Sequence, residues 1–137
     1  MKPQYCWDNL IKACEQALKS LGDKVLSVHP EVCFRMGYWS NEAFPARFWG
    51  SFTGPICGNK ESIDISIDFK LEDQAIEVTA DVAYDTGEIL SELPAQNISL
   101  RGKDIIVEDE AIPLANKLID YVNVQFELID RCIRIHK

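Results

Sequence analysis

Positive charge and histidine are scarce in this sequence. Its 14 lysines and arginines stand against 22 aspartates and glutamates, which gives a net charge of −8 at pH 7. Nucleic acids and anionic membranes bind basic surfaces, so this balance disfavours both and permits a basic protein partner. His29 and His136 are the only histidines. Because His29 stands four residues before Cys33, about 13 Å along an extended strand, the two cannot form a catalytic pair within that strand.

Motifs for cofactors, metals and export are also missing. No glycine-rich loop has the spacing that binds phosphate, and no group of cysteines and histidines has the spacing of a zinc site. We therefore expect no catalytic residues, no cofactor and no metal. The stretch MKPQYCWDNL lacks the basic and apolar regions of a signal peptide, and no run of about 18 apolar residues could span a membrane. Five cysteines without a CxxC pair predict reduced thiols and a cytoplasmic protein.

The stretch from Ser62 to Tyr84 carries the strongest pattern in the chain. Apolar residues, many of them β-branched, alternate with polar ones on both sides of a short EDQ segment. Such alternation predicts two strands that are each buried on one face. A turn centred on Asp73 and Gln74 would place apolar residues directly opposite each other, for example Phe69 and Val78. The sequence therefore predicts a β-hairpin in this register.

The polar face of this hairpin is expected to be acidic and wet. It carries Asp64, Asp68 and Asp81, and the predicted register gives none of them a cross-strand cation. Asp64 and Asp68 are about 13 Å apart, so one ion cannot bridge both, whereas Asp81 lies roughly 7–8 Å from each. A solvated acidic surface fits this arrangement better than a cation site built from two carboxylates, and both remain open.

An amphipathic helix is predicted near each end of the chain. Apolar residues at spacings of three and four indicate a helix over residues 4–21, and Gly22 suits its C-terminal cap. A short apolar run at residues 25–28 precedes Pro30 and reads as part of a strand bent at that proline. A second, long helix is predicted from Glu110 to about Arg134.

The remaining segments complete a sheet between these helices. Strands are predicted at residues 31–38 and 46–53, a second hairpin is predicted from 97–100 and 105–107, and residues 88–93, ended by Pro94, are either a strand or a helical turn. The order of helix, strands and helix predicts an α+β fold in which residues 1–137 form a single domain. Its mainly antiparallel sheet of about five or six strands is flanked by an N-terminal and a long C-terminal helix.

Aromatic residues are concentrated in residues 38–52. Six of the 13 aromatic residues of the chain lie in these 15 positions. Aromatic side chains and arginine are enriched at protein interfaces. We therefore predict that Trp39, Phe44, Arg47 and Trp49 bind a protein partner. The alternative, in which the aromatics cover one end of the core, fits the pattern equally well.

The C-terminal helix carries a second apolar line beside its main stripe. The line consists of Tyr121, Val124, Leu128 and Ile135. A helix of 25 residues spans about 37 Å, which is longer than a typical strand of this sheet. We predict that the line forms a homodimer interface, and a helix seated in a groove between the sheet and the first helix is the alternative.

Three functions are compatible with these patterns. In size, acidity and its closing amphipathic helix, the chain resembles the chaperones of bacterial type III secretion, which are small dimers that hold an extended client. In size and charge it is similar to small bacterial immunity proteins. We expect a non-enzymatic cytoplasmic protein-binding domain, with an immunity-type inhibitor of a basic partner as the first hypothesis. The alternatives are a dimeric chaperone-like adaptor and an enzyme or ligand-binding domain that uses Asp64 and Asp81 in a pocket between sheet and helices.

Overall fold

The computed structural model of the chain describes residues 5–40, 46–58, 60–72, 75–99, 105–106 and 108–133. Along the chain they form β1 (Tyr5–Cys6), α1 (Trp7–Val28), β2 (Cys33–Ser40), β3 (Ala46–Thr53), β4 (Ser62–Glu72), β5 (Ala75–Tyr84), β6 (Ile89–Ser99), β7 (Ile105–Ile106) and α2 (Glu108–Cys132). Strands β2 to β6 form an antiparallel sheet in sequence order, and β1 pairs with β7. The predicted α+β fold with two flanking helices is confirmed.

The β4–β5 hairpin has the predicted register. Phe69 pairs with Val78, and the pairing continues without a shift along both strands. Because side chains alternate between the two faces of a sheet, this register places the apolar residues of both strands on the same side. Phe69 and Val78 are fully buried there. The predicted turn at residues 73–74 lies outside the described residues.

Both helices cover the same face of the sheet. Helix α1 packs on β2 and β3, α2 packs on β6, and the two helices pack against each other. The core between the layers combines the apolar residues of the strands with the apolar stripes of the helices. Its most deeply buried members, each at most 1% exposed, include Leu10, Leu18, Phe48, Phe52, Ile65, Ile67, Val78, Val82, Leu118 and Val122. Burial of this surface is the main source of folding free energy.

Helix α1 is longer than predicted. It continues through Gly22 to Val28, so the predicted cap at Gly22 and the strand segment at residues 25–28 are wrong. A Cβ atom at Gly22 would lie 2.3 Å from Cε2 of the Phe34 ring on β2. Glycine therefore allows the close approach of the helix to the strand and does not end the helix. Val25, which is fully buried, continues the apolar stripe into the added turns.

Strand β6 also continues beyond its predicted end. Residues 89–93 are a strand, and this strand runs through Pro94 to Ser99. A proline is tolerated because β6 is an edge strand, where an absent amide donor can face away from the neighbouring strand. The register with β5 shifts between Val78 and Ala80, which lie opposite the segment around the proline. The prediction that Pro94 ends the segment is therefore wrong.

The short strand β7 pairs with β1 and not with β6. Tyr5 pairs with Ile106 and Cys6 with Ile105, so the predicted second hairpin is wrong. Its predicted turn at residues 101–104 lies outside the described residues. Because β1 directly precedes α1 and β7 lies just before α2, the two helices begin side by side. Their other ends also meet, at His29 and Asp130, so the helices run in the same direction.

A buried histidine joins the other ends of the two helices. His29 follows α1 and is 2% exposed, and its Nε2 atom lies 2.5 Å from Oδ1 of Asp130 in the last turn of α2. Its Nδ1 atom lies 3.5 Å from Oε1 of Glu31. Both ring nitrogens thus lie beside carboxylates. His29 is a structural link between the helices.

Candidate functional site

One face of the five-stranded sheet carries neither of the two helices, and we call it the open face. The residues that alternate with the buried ones lie on it: Arg47 and Trp49 on β3, Asp64 and Asp68 on β4, and Asp81 on β5. Each of these side chains is half-buried or exposed. In the sequence the aromatic segment and the acidic face are separate candidate sites. The structure brings described members of both together on one surface.

An ion pair joins the two candidate sites. Arg47 and Asp68 are directly opposed on β3 and β4, and the guanidinium donates from Nε to Oδ1 at 2.6 Å and from Nη2 to Oδ2 at 3.3 Å. Two parallel hydrogen bonds of this kind fix the plane of the guanidinium group. The prediction that Asp68 lacks a cross-strand cation is therefore wrong, because the cation comes from β3, on the other side of β4 from the hairpin partner. The two side chains are 48% and 31% exposed, so a partner can reach both.

Asp81 is the carboxylate of the open face whose charge is least well compensated. Among the residues that the structure describes, it forms no ion pair. Partial burial and then the negative charge of Asp68 raise the pKa of Asp81; the charge of Arg47 opposes this effect, and Glu92 adds to it. Ionised Asp81 is thus less favourable in the folded protein than in the unfolded chain. A cation placed beside it would reverse that effect.

Asp64 extends the acidic surface along β4. Its Oδ2 atom accepts a hydrogen bond from Oγ of Ser62 at 3.2 Å. Asp64 and Asp81 both lie on the face of the sheet that points away from the helices. The hypothesis that they line a pocket between sheet and helices is therefore wrong. The described residues contain no group of three or more acidic, histidine or cysteine side chains placed to hold a metal ion.

The Trp49 indole packs over the backbone of β2. Trp49 pairs with Gly37, and a Cβ atom at Gly37 would lie 3.0 Å from Cζ2 of the indole. Glycine at this position makes room for the ring, which is half-buried and keeps part of its surface in water. The backbone of Trp39 pairs with that of Arg47. Phe44, the fourth predicted partner-binding residue, lies outside the described residues.

The other aromatic residues of segment 38–52 belong to the helix-covered side of the sheet. Phe48 and Phe52 are fully buried in the core. Tyr38 is exposed and stacks on Phe48 with a centroid separation of 5.2 Å. Phe48 and Phe52 are thus core residues, and Trp49 lies on the open face, where its binding of a partner stays a prediction.

The second apolar line of α2 does not form one continuous surface. Tyr121 is buried, and its hydroxyl oxygen lies 3.0 Å from Oγ of Ser91 on β6. Leu128 packs half-buried against the core. Val124 is 65% exposed and is the described member that a second subunit could cover, whereas Ile135 lies outside the described residues. A homodimer through α2 stays a prediction that depends on Val124.

No protein-family profile, curated protein or solved structure matches this chain. The function of the open face is therefore inferred from its own geometry. Its three central strands present an indole, a guanidinium held by a carboxylate, and two further carboxylates. Within the described part of the chain, no helix is long and apolar enough to cross a membrane.

Two relationships on this surface are not apparent from the sequence. The first is the pairing of Arg47 with Asp68, which would have followed from extending the hairpin register by one strand to residues 46–53. The second is Gly37, whose lack of a side chain accommodates the indole of Trp49. An arginine or a glycine by itself does not indicate such a contact, because only the alignment of neighbouring strands brings these groups together.

Proposed function

We propose that this protein is a non-enzymatic protein-binding domain that engages a basic partner through the open face. The observation that carries the proposal is that Trp49, the Arg47–Asp68 pair and Asp81 share one surface without a covering helix. Aromatic and arginine side chains supply much of the binding free energy at protein interfaces. The surface thus combines a tryptophan and an arginine, two residue types that often anchor a partner, with acidic residues around them.

The anchors are held in place before a partner arrives. The Trp49 ring rests against β2 at Gly37, and the guanidinium of Arg47 is oriented by its two hydrogen bonds to Asp68. Side chains that are already ordered lose less conformational entropy on binding. Trp49 and Arg47 therefore contribute more to the affinity than mobile side chains would.

The charge of the open face indicates the chemistry of the partner. Asp81 forms no ion pair within the described residues, and burial together with the charge of Asp68 outweighs the opposing charge of Arg47. A lysine or arginine of a partner placed near Asp81 would remove this unfavourable term. The net charge of −8 would in addition accelerate the encounter with a basic protein. An immunity-type inhibitor acting on a basic protein in the cytoplasm is the form of this function that we propose.

The test begins with affinity capture from the source cell and continues with the purified partner. Titration calorimetry would compare wild type with Trp49→Ala and Asp81→Asn. We expect Trp49→Ala to weaken binding by at least about 30-fold, which corresponds to about 2 kcal/mol. Asp81→Asn should weaken binding less and should reduce its dependence on salt, because one charge pair is lost.

Asp120→Asn provides a matched control, since it removes the same charge from an exposed position on α2. It should leave the affinity within about twofold of wild type, as expected for a charge outside the interface. A partner that binds Trp49→Ala and Asp81→Asn as tightly as wild type would dock elsewhere, and the proposed role of the open face would then be incorrect.

A further inference from the structure

Two cysteines lie side by side where the end of α2 meets the loop between β3 and β4. Ile56 and Ile133 form an isolated antiparallel bridge, so Cys57 and Cys132 are the next opposed residues. The amide of Cys57 donates to the carbonyl oxygen of Cys132 at 2.8 Å. With standard backbone bond lengths, this one hydrogen bond holds the two Cα atoms within about 7 Å of each other. Disulfides span Cα separations of about 4.4–6.8 Å. The backbone geometry therefore suits a disulfide.

The surroundings of the two thiols differ in a way that suits sequential oxidation. Cys57 is half-buried, and its Sγ atom contacts the carbonyl oxygen of Arg131 at 3.6 Å, whereas Cys132 is buried. The hydroxyl of Tyr84 donates to Sγ of Cys132 at 3.3 Å. Burial raises the pKa of the Cys132 thiol, and this hydrogen bond opposes the shift because it stabilises the thiolate. Cys57 is thus the accessible thiol, and Cys132 is the protected one beside it.

Two further cysteines, Cys14 and Cys33, have side chains that the structure describes. Cys14 lies in the core, where burial raises its pKa to about 12, so it is unreactive. Cys33 is exposed on β2. A disulfide within one molecule is therefore favoured at only one place among the described thiols.

We propose that Cys57 and Cys132 form a reversible disulfide that ties the end of α2 to the β3–β4 loop when the protein meets a peroxide. In the first step the Cys57 thiolate attacks one oxygen of hydrogen peroxide; an S–O bond forms, the O–O bond breaks, and the released hydroxide takes up a proton to give water. Cys57 becomes a sulfenic acid, a two-electron oxidation.

In the second step the sulfur of Cys132 attacks the sulfur of Cys57. The S–S bond forms, the S–O bond breaks, and the leaving hydroxide takes up the thiol proton of Cys132 to give a second water. A dithiol reductant reverses the change by thiol–disulfide exchange. The proposal does not depend on the function of the open face, because neither cysteine belongs to that surface.

The experiment treats the reduced full chain with one equivalent of hydrogen peroxide and analyses it by intact mass and by mapping of non-reduced peptides. We expect the loss of two hydrogen atoms and a linked peptide that contains Cys57 and Cys132. Oxidation should also raise the thermal midpoint by on the order of 10 °C, because closing so long a loop restricts the unfolded chain. Dithiothreitol should restore the original mass and midpoint.

Cys57→Ser should abolish both the linked peptide and the shift in midpoint, and Cys33→Ser, which removes an exposed thiol without a close neighbour, should retain both. Cys57 is only half-buried, so the test does not require substitution of the buried Cys132. Oxidation of wild type that stops at a sulfenic or sulfinic acid on Cys57, or that gives only intermolecular links through Cys33, would overturn the proposal.

Discussion

Substitution of Gly22 by alanine should destabilise this protein, although alanine has a higher helix propensity than glycine. In a helix that contacts nothing, the exchange stabilises by about 1 kcal/mol, because glycine loses more backbone entropy on folding. Here the new Cβ atom would lie 2.3, 2.4 and 2.8 Å from three carbon atoms of the Phe34 ring. The helix, the strand or the ring must then move.

The Phe34 ring has little room to respond. On β3 a Cβ atom at Gly50 would lie 2.9 Å from Cε1 of the same ring, and Phe52 packs on the ring with a centroid separation of 4.7 Å. Overpacking in such a site costs about 1–3 kcal/mol. Set against the gain in helix propensity, the expected net destabilisation of Gly22→Ala is about 1 kcal/mol, within a range of roughly 0–2 kcal/mol.

Urea unfolding followed by circular dichroism would measure this effect in a double-mutant cycle. In a Phe34→Ala background the ring is absent, so Gly22→Ala should stabilise by about 1 kcal/mol. Ser20→Ala, at an exposed position of the same helix, controls for propensity alone and should be slightly stabilising in both backgrounds. If Gly22→Ala stabilises wild type as much as it stabilises Phe34→Ala, the close contact between α1 and β2 does not exist.

Ile67→Ala should lower the free energy of unfolding by about 2–5 kcal/mol because Ile67 is fully buried, and Asp68→Ala should lower it far less; equal urea midpoints would contradict the orientation of β4. Asp81→Asn should raise stability at pH 7 by about 0.2–1 kcal/mol, because the ionised carboxylate is disfavoured by partial burial, by Asp68 and by Glu92, which is directly opposed to it on β6. The pKa of Asp81 is raised in the folded protein, so ionisation of Asp81 begins to cost stability above the unfolded pKa of about 3.9 and costs most above the folded pKa. The stability gained by Asp81→Asn should therefore shrink as the pH falls toward about 3.9. A gain in stability that does not depend on pH would refute this explanation. Val124→Glu should convert a micromolar dimer into a folded monomer in sedimentation, because an unpaired charge cannot be buried at an interface; a wild-type protein that is itself monomeric would exclude that interface.

The sheet could be predicted well because its information is local. In β4 and β5 every second residue is apolar, and a shift of one residue would turn the whole apolar set toward water, so the alternation alone determines the register of Phe69 with Val78. The same alternation in β3 puts Trp49 and Phe48 on opposite faces of the sheet. These statements needed no knowledge of distant parts of the chain.

The errors concern residues whose role depends on a distant neighbour. Gly22 resembles a helix cap in sequence, and only the position of Phe34 explains why a glycine lies inside α1. Pro94 resembles a strand end until β6 is known to be an edge strand. On the open face, the carboxylates and Arg47 were each identified, but their pairing required the register of a third strand. Cys57 and Cys132 are 75 positions apart, and no spacing rule connects them.

The packing of α1 against α2 has a consequence for the synthesis of the chain. His29 and Asp130, which join the ends of these helices, are 101 residues apart. On the ribosome α1 emerges before α2, whereas the five strands of the sheet, β2 to β6, can pair with their sequence neighbours as they appear. Until α2 emerges, much of the apolar stripe of α1, including Leu10 and Leu18, has no helix to cover it. The nascent chain therefore exposes this apolar surface until α2 has been made and has docked, and exposed apolar surface of this kind favours aggregation.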